Sequence, residues 1–168
     1  LIALSACLAG EVATYIRENN YEKAKNTALR LQDLFGKDNF FLELQDHGIP
    51  DQTKVNTALL KMSKETGIDL VATNDIHYTF KEDAEAHDIL LCIQTGKKVQ
   101  DEDRMRYEGG QYYLKSPEEM QRLFPYAREA IENTGKIAKR CNVEIVFGEQ
   151  KVPEYDVPEG YTSWEYLN

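Results

Sequence analysis

A carboxylate and an imidazole stand two residues apart at Asp75 and His77, directly after a short apolar run at residues 70–72. The run predicts a strand buried on both faces, as in a parallel sheet, so both polar residues fall at its carboxyl end. While the chain stays extended, side chains two residues apart point to the same side and can converge on one divalent cation. Barrel and open α/β enzymes keep their chemistry at this end of the strands.

The same pair also has an ordinary structural interpretation. An Asp that follows Asn at a strand end is common in turns and helix caps, and a single His nearby is more often a hydrogen-bonded structural residue. The spacing of Asp75 and His77 therefore leaves metal ligation and a turn both open.

Alternating strand and helix signals precede this pair. Apolar runs at residues 1–6 and 39–45 predict two more strands, and a helix that begins at Pro50 and stops at Gly67 separates the second from the third. Strand, helix, strand, helix, strand with short connections is the pattern of a parallel α/β sheet with helices outside it. The remaining helices of this half are predicted over residues 11–19 and 21–35.

Three other residues of ligand type lie in this pattern. Cys7 follows the first strand as Asp75 follows the third, although a buried structural thiol is the preferred interpretation from the residue alone. His47 ends the second strand in Asp-His-Gly, which a turn before a helix explains adequately. His87 lies in the middle of a helix predicted over residues 81–93, so we expect it to be a packing residue outside the site.

The second half of the chain is less regular. A charged stretch at residues 97–110 predicts a mobile loop. Capping boxes at Ser116/Glu119 and Thr162/Glu165 predict helix starts, and Pro153, Pro158 and Gly160 mark an extended connector. The other predicted elements are a short strand at 112–114, helices reaching from 116 to about 124 and over 127–141, and a strand at 143–147.

Composition favours one globular domain that does not bind DNA by itself. The chain has 168 residues, 42% of them hydrophobic, and a net charge of −9, whereas phosphate contacts need clustered Lys and Arg. Its three cysteines contain no C-x-x-C pair, which indicates a reducing cytoplasm and no disulfide framework. No apolar run predicts a signal peptide or a membrane span. The missing initiator Met suggests a piece of a longer protein.

Six segments carry a resemblance that covers nearly the whole chain in collinear order. They are LSACLAGE at 4–11, NFFLELQDHGIPDQ at 39–52, TNDIHY at 73–78, EDAEAHDILLCIQTG at 82–96, YLKSPEEM at 113–120 and RCNVEI at 140–145. These segments closely resemble the PHP (polymerase and histidinol phosphatase) domain of bacterial replicative DNA polymerase III alpha subunits.

The resemblance implies an α/β fold, part of a distorted βα barrel, and a metal site. Residues 1–148 would be the C-terminal portion of the PHP domain, and 149–168 a connector toward the polymerase palm. Cys7, Asp75 and His77 match ligand positions of a metal cluster of about nine ligands, for which zinc, manganese or magnesium are the candidate ions. The H-x-H motif and the palm aspartates have no counterpart here, so the isolated chain is expected to be inactive and to bind metal weakly or not at all.

The resemblance also implies a parent protein that is a DNA-directed DNA polymerase, in some members with a metal-dependent 3′–5′ exonuclease in the PHP domain. Its partners would be DNA, deoxynucleotides, a proofreading subunit and a sliding clamp. An incomplete barrel exposes sheet edge, which predicts self-association. The alternatives are a non-catalytic scaffold that docks partners, and a stand-alone PHP-family phosphatase. The metal content of the full protein would distinguish the scaffold from an active nuclease. The similarity of all six segments to polymerase subunits disfavours the stand-alone phosphatase.

Overall fold

A three-stranded parallel sheet forms the centre of the computed structural model, which describes residues 1–148 and 155–167. The strands β1 (Ala3–Leu4), β2 (Phe40–Leu44) and β3 (Leu70–Ala72) lie in that order across the sheet. Ala3 pairs with Phe40, and Leu42 with Leu70. The α/β fold and the parallel order of the three predicted strands are thereby confirmed.

Seven α-helices accompany the sheet in the described part of the chain, and local signals explain several of their ends. At α3 a proline opens the helix, and Gly67 closes it with a left-handed φ of 71°. Both predicted capping boxes form, the first at Ser116 and the second at Thr162. The helices are α1 (Glu11–Arg17), α2 (Tyr21–Phe35), α3 (Pro50–Thr66), α4 (Ala84–Thr95), α5 (Pro117–Leu123), α6 (Arg128–Arg140) and α7 (Ser163–Leu167).

The core lies around β2, whose Leu42 and Leu44 are fully buried. Helices α1, α2, α3 and α6 supply most of the other apolar side chains of this core. On the far side of β3, the buried Asn133 of α6 donates from Nδ2 to the carbonyl oxygen of Leu70 at 2.8 Å. This bond satisfies an edge carbonyl of β3 where no further strand pairs with it in the described chain.

Two predicted strands do not form. Residues 143–147 have no strand partner in the described chain, and Val143 and Phe147 are 83% and 88% exposed. The strand prediction there was wrong because apolar composition alone cannot supply the neighbouring backbone that a strand must pair with. Residues 112–114 make only a single bridge, between Tyr113 and Tyr78. The proline-containing connector lies partly outside the described residues.

The outer edge of β1 is open. No other described strand pairs with that edge, and Leu1 is fully exposed beside it. An unpaired edge of this kind can accept another strand. Across residues 1–148 and 155–167, no helix is both long enough and apolar enough to cross a membrane.

Candidate functional site

The parallel sheet places the ligand-type residues at one edge. Cys7 follows β1, His47 follows β2, and Asp75 and His77 follow β3, so all four lie beyond the carboxyl ends of the strands. Asp75 and His77 are in contact, with 3.9 Å between Asp75 Oδ1 and His77 Nδ1. The two side chains therefore lie close together, and their joint ligation of a metal ion stays a prediction.

The backbone achieves this contact through a turn and not through an extended strand. Asp75 has a left-handed φ of 43°, a conformation that Asp tolerates better than most residues. The His77 Nδ1–H donates to the carbonyl oxygen of Asp75 at 2.7 Å. In the neutral imidazole this bond fixes the proton on Nδ1 and leaves the lone pair on Nε2, the arrangement found in many metal-binding histidines.

Cys7 lies apart from this pair. It is exposed and borders a small cavity together with Glu43, Gln45 and the first half of α3. Because β2 stands between β1 and β3, the outer strands are about 10 Å apart. Accordingly, no three His, Cys, Asp or Glu residues of the described chain are grouped closely enough to hold one metal ion.

A carboxylate that the sequence interpretation did not single out occupies the middle of this edge. Glu43 of β2 accepts hydrogen bonds from the hydroxyl of Thr73 and, at 3.2 Å, from Nε2 of Gln45. Its backbone N–H donates to Oγ of Ser5 at 2.8 Å, so the network joins all three strands. The signal was present in the sequence, since Glu43 interrupts the apolar run FFLEL of a buried strand.

His47 is held by the protein on both sides of its ring. Its Nε2 donates to the carbonyl oxygen of Asn74 at 2.9 Å, and its Nδ1 accepts from Nε2 of Gln52 at 2.8 Å. The orientation of the Gln52 amide follows from its Oε1, which accepts the backbone N–H of His47. The buried ring also stacks on Tyr112 at 4.1 Å between centroids. These contacts give His47 a complete structural explanation.

Asn74 fastens the segment at residues 111–113 to the end of β3. Its Nδ2 donates to the carbonyl oxygens of Gln111 and Tyr113, at 2.9 and 2.7 Å. The backbone N–H of His77 donates to the carbonyl oxygen of Tyr112 at 2.8 Å. The side-chain hydrogen bonds of Asn74 and the backbone hydrogen bond of His77 thus fix the segment that carries Asp75 and His77 against residues 111–113.

Aromatic rings enclose His77. Tyr107 lies at 4.3 Å from it between centroids, while His87 and Tyr112 lie at 5.6 Å. His87 was expected to pack outside the site, yet its ring packs edge-on against His77 itself. Helix α4 therefore contributes to the surroundings of the site, which the position of His87 in a helix does not reveal.

The loop at residues 97–110, predicted to be mobile, is anchored to α4. Arg104 makes two hydrogen bonds of 2.6 Å to the carboxylate of Asp88, and its side chain is only 3% exposed. The hydrogen bonds from Arg104 lower the pKa of Asp88 below its usual value. This ion pair holds the loop that brings Tyr107 against His77.

Replacing Asp88 by Asn is expected to destabilise the chain at neutral pH, because it leaves the buried guanidinium of Arg104 without its counter-charge. Since the folded-state pKa of Asp88 is lowered, the stabilisation is complete above the unfolded pKa of about 3.9 and is lost as pH falls through the lower folded value. The measurement is the free energy of unfolding in urea, determined for both chains at a series of pH values.

The difference between the original chain and Asp88→Asn should shrink below about pH 4. Asp103→Asn, in the same loop but exposed, is the control and should change little. A constant difference down to pH 2 would contradict the assignment of the effect to the Asp88 carboxylate.

The donors present fit part of a metal site. A carboxylate and an imidazole lie side by side, the lone pair of the neutral ring lies on Nε2, and a thiol stands at the same sheet edge; zinc accepts all three donor types. The set is incomplete, because Cys7 does not lie close enough to Asp75 and His77 to bind the same ion. No three ligand-type residues of the described chain are grouped in that way. Further ligands would be needed to enclose an ion between these residues.

The fold and this edge define the class of protein: an α/β domain whose candidate site lies at the carboxyl ends of parallel strands. The sequence profile of the family described as "PHP domain" matches residues 1–47, which include β1, β2 and Cys7. The matched residues include Cys7, the first of the three predicted ligand residues.

Curated relatives extend the match to nearly the whole chain. The DNA polymerase III alpha subunits of Borreliella burgdorferi, Campylobacter jejuni and Thermus aquaticus are 47%, 45% and 40% identical to it, over 99%, 96% and 99% of its length. The chain spans only 14% to 15% of the length of these relatives. It belongs to the DNA polymerase III alpha subunit family, as the counterpart of one segment of those proteins.

Proposed function

We propose that the protein to which this segment belongs is a DNA-directed DNA polymerase, and that the segment is part of its PHP domain. One observation carries this proposal: identity of 40% or more to several alpha subunits, sustained over at least 96% of the chain. Homology at this level preserves the fold and commonly the role, and the palm aspartates of the polymerase are proposed to lie outside this segment.

We further propose that Cys7, Asp75 and His77 are ligands of divalent metal ions, with zinc, manganese or magnesium as candidates. Support comes from the orientation of His77, whose Nδ1–H is bound to a carbonyl so that Nε2 is free, and from its contact with Asp75. A divalent ion bound there would polarise a phosphoryl oxygen and lower the pKa of a bound water, which is the chemistry of a 3′–5′ exonuclease. Asp75 would supply a hard oxygen donor, and the rings around His77 would keep it in place.

The extent of the domain is also a proposal. We assign residues 1–148 to the PHP domain and 149–168 to a connector toward the palm, although the family profile itself ends at residue 47. On this assignment the isolated chain lacks both the remaining metal ligands and the polymerase carboxylates. It should therefore catalyse neither reaction by itself.

We propose DNA and deoxynucleotides as partners, since the relatives are DNA polymerase subunits. We also propose a proofreading subunit and a sliding clamp as replisome components, and the cytoplasm as the location. We also propose that the open edge of β1 leads the isolated chain to associate with a second copy, since an unpaired edge accepts another strand.

A scaffolding domain is the second candidate function. It is favoured by the lack of any group of three ligand-type residues in the described chain, and by the internal hydrogen bonds that already satisfy Glu43 and His47. A stand-alone phosphatase is disfavoured, because the match to polymerase subunits runs through the chain to its last residues. Metal content distinguishes the metal site from the scaffold.

Elemental analysis of the full-length polymerase and of the 168-residue chain tests whether the domain holds a metal site or is a scaffold. The full-length protein should retain divalent metal through gel filtration and dialysis, whereas the isolated chain, in which Cys7 lies apart from Asp75 and His77, should lose it. Stoichiometric metal in the isolated chain would mean that the ligand set is wrong, with His47 and His87 as the first residues to reconsider. Metal-free full-length protein would favour the scaffold.

A further inference from the structure

A cavity of about 360 Å³ opens where the carboxyl end of β3 meets α5 and α6. Its wall is largely aliphatic, with Ile76, Met120 and Ile131 among the lining residues. Of the described residues that line it, none belongs to the proposed ligand set. This volume lies in the range of sites that hold small molecules.

One charged side chain faces this aliphatic wall. Lys115, which precedes the cap of α5, lines the cavity and is only 9% exposed. Its Nζ donates to the carbonyl oxygen of Gln111 and lies 4.1 Å from the centre of the Tyr113 ring. An ammonium has three hydrogens, so with one acceptor among the described residues it keeps unused donors.

The neighbouring carboxylates do not neutralise Lys115. Within the described chain none forms an ion pair with it, and the carboxylate of Glu119 is already bound to the hydroxyl of Tyr113 and the backbone N–H of Ser116. Burial lowers the pKa of Lys115 and the charge of Lys81 lowers it further, while the charges of Glu119 and Asp46 offset this only in part. A buried cation without a counter-ion is unfavourable, and an anion that enters the cavity would relieve the cost.

We propose that this cavity binds a small monocarboxylate with an apolar body. Its carboxylate accepts hydrogen bonds from Lys115 Nζ, and its apolar part lies against Ile76, Met120 and Ile131. A single negative charge matches the single ammonium, whereas a dianion would leave excess negative charge in a chain whose net charge is −9. The inference is independent of the proposed metal site.

The test uses two ligands of equal shape, 4-phenylbutyrate and its uncharged amide, 4-phenylbutyramide. Each is titrated into the ¹⁵N-labelled chain while amide resonances are followed by NMR. With the acid, the resonances of residues 76, 115, 120 and 131 should shift and saturate. The amide should bind at least about tenfold more weakly, since hydrogen bonds to charged groups contribute that much or more.

Two variants assign the effect to Lys115. Lys115→Met keeps an unbranched side chain one atom shorter, without the charge, and should weaken binding of the acid at least about tenfold. Lys139→Met removes an exposed lysine of α6 and should leave binding unchanged. Benzyl phosphate, a dianion, should bind less tightly than the acid.

Equal affinity for the acid and the amide would overturn the proposal, as would unchanged binding to Lys115→Met or tighter binding of benzyl phosphate. The absence of saturable shifts at the four resonances would overturn it as well. Should Lys115→Met fail to fold, the comparison of acid and amide on the unaltered chain still decides.

Discussion

Asp75→Asn in the full-length polymerase is expected to lower metal affinity by about 10- to 100-fold, with loss of any metal-dependent 3′–5′ exonuclease activity in parallel. The amide replaces a charged oxygen donor with a weaker neutral one. The backbone should stay in place, because Asn adopts the left-handed φ of 43° found at position 75 as readily as Asp does. Metal content and hydrolysis of a 3′-labelled single strand measure the two effects.

DNA polymerisation should change far less in this variant, because its catalytic carboxylates are proposed to lie in another domain. Primer extension by the same preparation measures this. Asp69→Asn is the matched control, since Asp69 is an exposed aspartate at the opposite end of the same strand. Equal losses of metal and nuclease activity in both variants, or no loss in Asp75→Asn, would place the site elsewhere.

His87→Gln is expected to affect the site, although the sequence predicted a packing residue outside it. Its ring packs against His77, Tyr78 and Tyr107, so its removal frees the His77 ring to move. We expect metal affinity to fall less than in Asp75→Asn, because His77 keeps its bond to the carbonyl of Asp75.

Leu42→Ala is expected to lower the free energy of unfolding of the chain by about 2 to 5 kcal/mol. Leu42 is fully buried on the central strand and pairs with Leu70, so truncation opens a cavity between the sheet and its helices. Domains of this kind are typically stable by about 5–15 kcal/mol, so the loss would be a large fraction. Urea unfolding followed by circular dichroism measures it.

Leu34→Ala provides the comparison, since Leu34 of α2 is 70% exposed and its truncation should cost no more than about 0.5 kcal/mol. Similar destabilisation by both substitutions would contradict the placement of the core around β2. The adjacent Glu43 network should loosen in Leu42→Ala alone, because that network depends on the position of β2.

The sequence by itself determined the helices and the three strands of the sheet, and their order along the chain. Apolar runs separated by helices with proper caps gave the parallel α/β arrangement, and the helix starts at Pro50 and Ser116 agree with the structure. The position of Asp75 and His77 beyond a strand end followed from the same pattern. These features depend on residues close together in the chain, where periodicity and capping chemistry act directly.

Only the tertiary structure decided which distant residues meet. It brought His87 and Tyr107 against His77, buried Arg104 on Asp88, and kept Cys7 away from Asp75. It also left residues 143–147 without a strand partner. Such outcomes depend on packing between segments far apart in sequence, and a pattern along one segment carries no information about the neighbour that will supply its contacts.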